Sequence, residues 1–151
     1  TTEAIVRTGQ RFEQGEQVWA IPYDYEGACA DKPEICLGVP YFNWGPSYVR
    51  HISSAMDGTW ETTFEWLAPN WEDINDLDTT AVGYVMGSAM DEEAKVTLQQ
   101  FIDELAGGLN LWTGPLNYQD GSTFLADGET ATDIQIWYLP QLLEGMEGRS
   151  E

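Results

Sequence analysis

Apolar and polar positions along the chain predict helices and strands in alternation. Glu3 to about Gln14 places Ile5, Thr8 and Phe12 on one helical face and stops at Gly15. Val18-Trp19-Ala20-Ile21 is a short apolar run closed by Pro22-Tyr23-Asp24, the pattern of a buried strand. Leu37 to Phe42 reads as a second strand and runs into Asn43-Trp44-Gly45-Pro46, where Pro46 suits the first turn of a helix over 47–56. Tyr48, Val49, Ile52 and Met56 form that helix's apolar stripe, and Gly58 closes it. Thr62–Leu67 and Ala81–Met86 read as strands joined by an acidic, turn-rich loop.

The clearest helix opens at Asp91-Glu92-Glu93, whose carboxylates complement the helix dipole. Ala94, Leu98, Phe101, Ile102 and Leu105 mark its expected buried face, and Gly107-Gly108 end it. Leu109–Trp112 reads as a strand, Asp120-Gly121 as the turn of a hairpin, and 133–146 as a helical segment interrupted at Pro140. Strands alternating with helices predict an α/β fold with a parallel sheet flanked by helices, without internal repeat and without a linker long enough to divide the chain.

Composition narrows what such a chain does. With 151 residues, 42% hydrophobic and 13% aromatic, it has material for a packed core. Twenty-six acidic residues against six Lys plus Arg give a net charge of −20, which repels nucleic acid and anionic membrane surfaces. So acidic a surface also suits salty surroundings. No apolar run reaches the roughly 18 residues of a membrane span, and the N-terminus lacks a basic-then-apolar signal, so any export signal is expected upstream or already removed. An opening on a helix cap rather than a strand is odd for a whole domain.

Cys29 and Cys36 flank the short loop Ala30-Asp31-Lys32-Pro33-Glu34-Ile35, a separation that suits either a disulfide in an oxidising compartment or two free thiols in a reducing one. With no second Cys pair and His51 as the single histidine, no metal site is expected. His51, beside an apolar helix stripe with no nucleophile near it in sequence, reads as a surface or structural group. Asp73-Ile74-Asn75-Asp76-Leu77-Asp78 departs from a calcium loop by placing Leu77 at its fifth position, and reads as a solvated acidic loop.

Catalytic motifs are absent: the sequence contains no G-x-S-x-G, H-E-x-x-H, Walker loop or G-x-G-x-x-G. A binding role fits better, and the expectation is a non-enzyme without cofactor. In open α/β sheets ligands sit beyond the carboxyl ends of strands. One predicted strand ends in Tyr23 and Asp24, the other in Phe42, Asn43 and Trp44. A carboxylate accepts from a ring N–H pair or a diol, an amide donates and accepts, and aromatic faces stack on a flat solute. The same aromatics also suit a core.

Four segments in order, Trp19-Ala20-Ile21-Pro22-Tyr23-Asp24, Phe42-Asn43-Trp44-Gly45-Pro46-Ser47-Tyr48, Asp57-Gly58-Thr59-Trp60 and Trp112-Thr113-Gly114-Pro115-Leu116 with Asp120-Gly121, resemble the basic membrane protein family of substrate-binding lipoproteins, also called the purine nucleoside receptor family. The resemblance implies a type I periplasmic-binding fold, two α/β lobes closing on a purine nucleoside, base or similar small aromatic solute. It further implies an ABC permease and ATPase as partners, and a lipid-anchored protein outside the cell or in the periplasm. Residues 1–151 would then be the C-terminal portion, mostly C-lobe with segments crossing to the N-lobe, and the missing N-terminal half would supply the rest of the pocket.

On this mapping Asp24 is the carboxylate that ends a C-lobe strand and faces the ligand, with Asn43 and Trp44 on the following hinge-side segment and Tyr23, Phe42 and Trp44 as walls. Thr1-Thr2 stand where the family usually shows Asp-Ser, which makes Thr2 an altered contact. Phe42 stands where nucleoside-binding members can carry a Lys, which tells against the ribose-binding variety and leaves a flat base or another aromatic solute compatible. In an exported protein Cys29 and Cys36 are expected to be bonded. A ligand-sensing regulatory protein on the same fold, without a transporter, is the alternative, and an acid-rich hydrolase a third.

Overall fold

A computed structural model describes residues 2–149, with the side chain of Thr2 left undescribed. The chain forms two compact units, Thr1–Asp103 and Glu104–Glu151. Their boundary falls inside a helix, so the absence of a linker in the sequence does not make the chain one unit.

In the first unit, α1 (Thr2–Glu13) carries Glu3 in its first turn and Arg11 in its last, each favourable to the helix dipole. Ile5 is its buried anchor and Phe12 leans on Trp19 with ring centroids 6.5 Å apart. The helix stops at Gly15, whose φ of +89° suits a residue without a side chain.

Strand β1 (Gly38–Phe42) pairs antiparallel with β2 (Val82–Met86) from Gly38↔Met86 to Phe42↔Val82. Two glycines permit this ladder by close approach: the Tyr41 ring lies over Gly83 and the Tyr84 ring over Gly38, where any Cβ would collide. Cys36, Val39 and Tyr41 form the core with Ala28 and Cys29 packed against them. Tyr41 extends its hydroxyl to Asn75 Oδ1 at 3.1 Å, and burial, then the nearby charges of Glu26 and Asp73, push its pKa above the usual tyrosine range.

The predicted strand at 18–21 does not form. Residues 20–24 instead run parallel to β1 through two isolated bridges, Ala20↔Cys36 and Asp24↔Tyr41. Between these bridges the β1 side holds one residue more, and Pro22 has no N–H to donate, so no regular ladder develops. The expected parallel sheet is therefore not found among the described residues. The chain is mixed α/β with two small antiparallel sheets.

Helix α2 (Gly45–Met56) starts with Pro46 in its first turn, as its sequence predicts. Its stripe of Tyr48, Val49, Ile52 and Met56 is exposed rather than buried. Thr62–Leu67 is not a strand and finds no ladder partner among the described residues. The acidic loop before β2 is a run of side-chain-capped turns, with Asp73 Oδ1 accepting from Asn75 N–H at 2.9 Å and Asp76 Oδ1 from Asp78 N–H at 3.0 Å. Its acidity serves turn geometry. Helix α3 (Glu92–Ala106) opens on carboxylates as predicted, yet none of its residues is buried, contrary to the expected face through Leu98 and Ile102.

The second unit centres on a hairpin of β3 (Leu116–Asn117) and β4 (Thr123–Leu125) around the turn at Asp120-Gly121. Leu125 is fully buried, and Phe124 sits between Tyr118 and Trp112 at 5.0 and 6.5 Å. Leu109–Trp112 is diverted from the predicted strand, because Leu109 N–H closes the preceding helix on the Glu104 carbonyl and Trp112 N–H turns back to Asn110 Oδ1. Helix α4 (Asp133–Trp137) begins on a Thr132–Gln135 capping box and is shorter than predicted, with Pro140 unable to continue it.

Candidate functional site

The carboxyl ends of the 20–24 segment and of β1 bring the predicted binding residues together. Asp24 N–H donates to the Pro40 carbonyl at 3.0 Å, and Phe42 N–H donates to the Asp24 carbonyl at 3.2 Å. These two bonds bring Tyr23 and Asp24 on one segment to the same end of the parallel pair as Phe42, Asn43 and Trp44 on the other.

Asp24 holds a φ of +88°, and among the described residues no other non-glycine has a positive φ. An L-residue there costs about 1–3 kcal/mol unless its surroundings impose the conformation. Here the imposing contacts are its two backbone bonds to β1, which fix the main chain and leave the carboxylate exposed. Such strain is frequent where a side chain must be aimed at a ligand. Asp tolerates the left-handed region better than most residues, so this side chain suits both the turn and the contact.

Phe42, Trp44 and Tyr48 form a continuous aromatic ledge beside it. Phe42 and Trp44 lie 5.3 Å apart and tilted by 41°, and Trp44 and Tyr48 lie 6.2 Å apart and nearly parallel at 19°. Helix α2 sets the second spacing, since Tyr48 N–H donates to the Trp44 carbonyl at 3.0 Å and one turn stacks the two rings. A flat ring inserted between those two needs about 7 Å, twice an ordinary carbon contact distance, so the gap between them is too narrow to hold one. All three rings are about half exposed, at 45, 55 and 61%, and Tyr23 is 58% exposed. They are not core aromatics.

Asn43 is half committed to structure. Its Nδ2 donates to the carbonyls of Leu77 and Thr80 at 2.7 and 2.8 Å, which pins the loop before β2 and leaves Oδ1 to accept. Of Thr1 and Thr2, the first lies outside the described residues, and the expected contact through the Thr2 side chain falls outside them too. Sequence reasoning placed Tyr48 on the helix stripe and missed it as part of the ledge, although its four-residue spacing from Trp44 carried that signal.

The basic side chains of this unit stand beside carboxylates. In the first unit Arg7, Arg11, Lys32, Arg50 and Lys95 are each paired with a carboxylate: Glu3, Glu16, Glu13, Glu65 and Glu92 respectively. His51 belongs to the same economy, with Nε2 3.6 Å from the Glu65 carboxylate that Arg50 also binds. Among the described residues no group of three or more His, Cys, Asp or Glu is arranged to hold a metal, and no helix is long and apolar enough to cross a membrane.

Cys29 and Cys36 form a disulfide with Cα atoms 5.9 Å apart. It lies in the connection between the two segments that end at the site.

No family model matches the chain. It is 29% identical over 118 residues to a purine-binding protein of Brucella abortus (strain 2308), an alignment that covers 78% of this chain and 31% of that protein. The chain thus spans about a third of the length of this curated relative.

Proposed function

We propose that the chain is the C-terminal portion, mostly C-lobe, of a substrate-binding protein that captures a purine base or similar flat solute for an ABC importer. The observation that carries this reading is the strained, exposed Asp24 carboxylate joined through backbone bonds to the end of the strand that leads into the Phe42–Trp44–Tyr48 ledge. A carboxylate that accepts from ring N–H groups beside aromatic faces that stack on the ring is the chemistry of base recognition. The similarity to a purine-binding protein supports the same solute class.

A net charge of −20, with the first unit's cations already paired, favours uncharged bases and nucleosides over nucleotides. On this reading an N-terminal half supplies the opposing lobe, a permease and its ATPase receive the solute, and the protein is lipid-anchored in the periplasm or outside the cell. Binding rather than turnover is its role.

Calorimetric titration of the protein encoded by the complete reading frame, with adenine, guanine, hypoxanthine, their nucleosides and their monophosphates, tests this. Micromolar or tighter binding of bases or nucleosides, with monophosphates at least a hundredfold weaker, is expected. Equal binding of the monophosphates, or no purine binding at all, overturns the reading.

A further inference from the structure

The two strand ends that form the candidate site are consecutive in sequence and run parallel, so the chain must return along the pair between Asp24 and Cys36. A parallel pair ordinarily needs a crossover of about a dozen residues, usually a helix whose packing sets the register of the strands. No α-helix occurs between Asp24 and Cys36. The connection is a succession of tight turns: Ala28 N–H bonds to the Tyr25 carbonyl, Ala30 to Gly27, Lys32 to Cys29, Ile35 to Lys32 and Cys36 to Pro33. The longest regular piece is a single 3-10 turn, Pro33–Ile35, which buries Ile35 but is far shorter than a crossover helix.

We propose that the Cys29–Cys36 disulfide replaces the crossover helix and holds the Asp24 segment in register against β1, so that the candidate site is complete only in the oxidised protein. Its placement fits this task. Cys36 is fully buried and forms the bridge with Ala20 at the start of the parallel pair. Cys29 lies midway along the return path and packs on the core of Cys36, Val39 and Tyr41. The bond therefore ties the middle of the crossover to the foot of β1. On the other edge of β1 the β1–β2 ladder and the Asn43 carboxamide hold without it.

Reduction by a dithiol begins at Cys29, the partly exposed partner: the attacking thiolate bonds to its sulfur and Cys36 leaves as a thiolate that takes up a proton. The reductant's second thiol then displaces Cys29 and closes its own disulfide, two electrons having passed to the protein. The structural part of this proposal stands alone, whereas its consequence for ligand affinity rests on the purine-binding reading.

Two consecutive amides, at the last residue of β1 and just past it, provide an internal comparison, because Phe42 N–H faces the Asp24 carbonyl and Asn43 N–H faces the Ala81 carbonyl on the β2 side. Hydrogen exchange on this chain, oxidised and then reduced with dithiothreitol, is expected to show Asp24 and Phe42 exchanging at least tenfold faster after reduction, with Asn43 changed less than threefold. The Cys29→Ser/Cys36→Ser variant reproduces the reduced pattern, and reoxidation of the wild type restores protection. Unchanged exchange at Asp24 and Phe42, or equal acceleration at Asn43, overturns the proposal. Guanine affinity of the complete receptor is expected to fall at least tenfold on reduction and to recover on reoxidation. An affinity equal in both states overturns the coupling to binding, and absence of guanine binding in both states counts against the purine reading while the exchange pattern still decides the role of the disulfide.

Discussion

Asp24 and Phe42 are joined main chain to main chain, the Phe42 amide donating to the Asp24 carbonyl at 3.2 Å while Asp24 itself sits at a φ of +88°. Strain at one residue is thereby held by the strand that carries its neighbours in the site. The relationship separates two roles for Asp24, since its backbone conformation concerns stability and its exposed carboxylate concerns a ligand.

Substitution at Asp24 tests that separation. Asp24→Gly relieves the backbone strain and removes the carboxylate, so the unliganded protein should melt at the same temperature or higher while purine affinity of the complete receptor falls roughly ten- to a hundredfold. Asp24→Ala should lose similar affinity and also melt lower, by the loss of about 1 kcal/mol, because alanine tolerates a positive φ worse than aspartate. Melting curves and calorimetric titrations run together check this. A lower melting temperature for Asp24→Gly with unchanged affinity would make Asp24 a turn residue alone.

Asn43→Asp keeps the side chain's shape and removes both donors to the Leu77 and Thr80 carbonyls. Two acceptors would then face a carboxylate instead of an N–H, at an expected cost of about 2 kcal/mol in urea unfolding. Phe42→Leu leaves those bonds intact and should shift stability little. A stability loss for Phe42→Leu as large as that of Asn43→Asp would contradict this division of labour.

Asp120 carries a pH dependence of defined sign. The Ser122 hydroxyl first, then the Ser122 amide and the Gln141 carboxamide, hold its pKa at about 2, below the reference of 3.8. Because the folded value is depressed, the contribution is fully present above about pH 4 and is lost as pH falls towards 2. A carboxyl-carbon NMR titration should return a midpoint near 2 in the wild type and a higher one in Ser122→Ala. A wild-type midpoint at the reference value would refute the bonding described for this turn.

Salt should stabilise the protein. A chain of net charge −20 repels itself when compact, and about 0.1 M salt already screens charges beyond roughly 10 Å. Between about 0.05 and 1 M potassium chloride the unfolding free energy should rise by about 1 kcal/mol or more, or roughly 2–4 °C in melting temperature for a chain of this size. A melting temperature that falls with potassium chloride would mean that the surface ion pairs outweigh the repulsion.

By itself the sequence determined the starts and stops of its main helices and the hairpin turn. Gly15, Pro46, Asp91-Glu92-Glu93 and Asp120-Gly121 act through the backbone within a few residues, and each helix limit or turn they predict is present. Tyr23, Asp24, Phe42, Asn43 and Trp44 stood out as candidates because aromatic and polar residues close both apolar runs, a pattern that also suits a core. What only the tertiary structure decided was pairing and burial. Apolar runs at 18–21 and 62–67 have the pattern of strands, but a strand exists only where another chain segment supplies its hydrogen bonds, and Pro22 and a one-residue slip deny the first of these a regular partner. The stripes of α2 and α3 likewise mark where burial is favourable without naming what covers them. The positive φ of Asp24, the ring of Tyr48 over Trp44 and the double use of the Asn43 amide depend on distances between residues remote in sequence or on one shared helical turn, and such distances follow from packing.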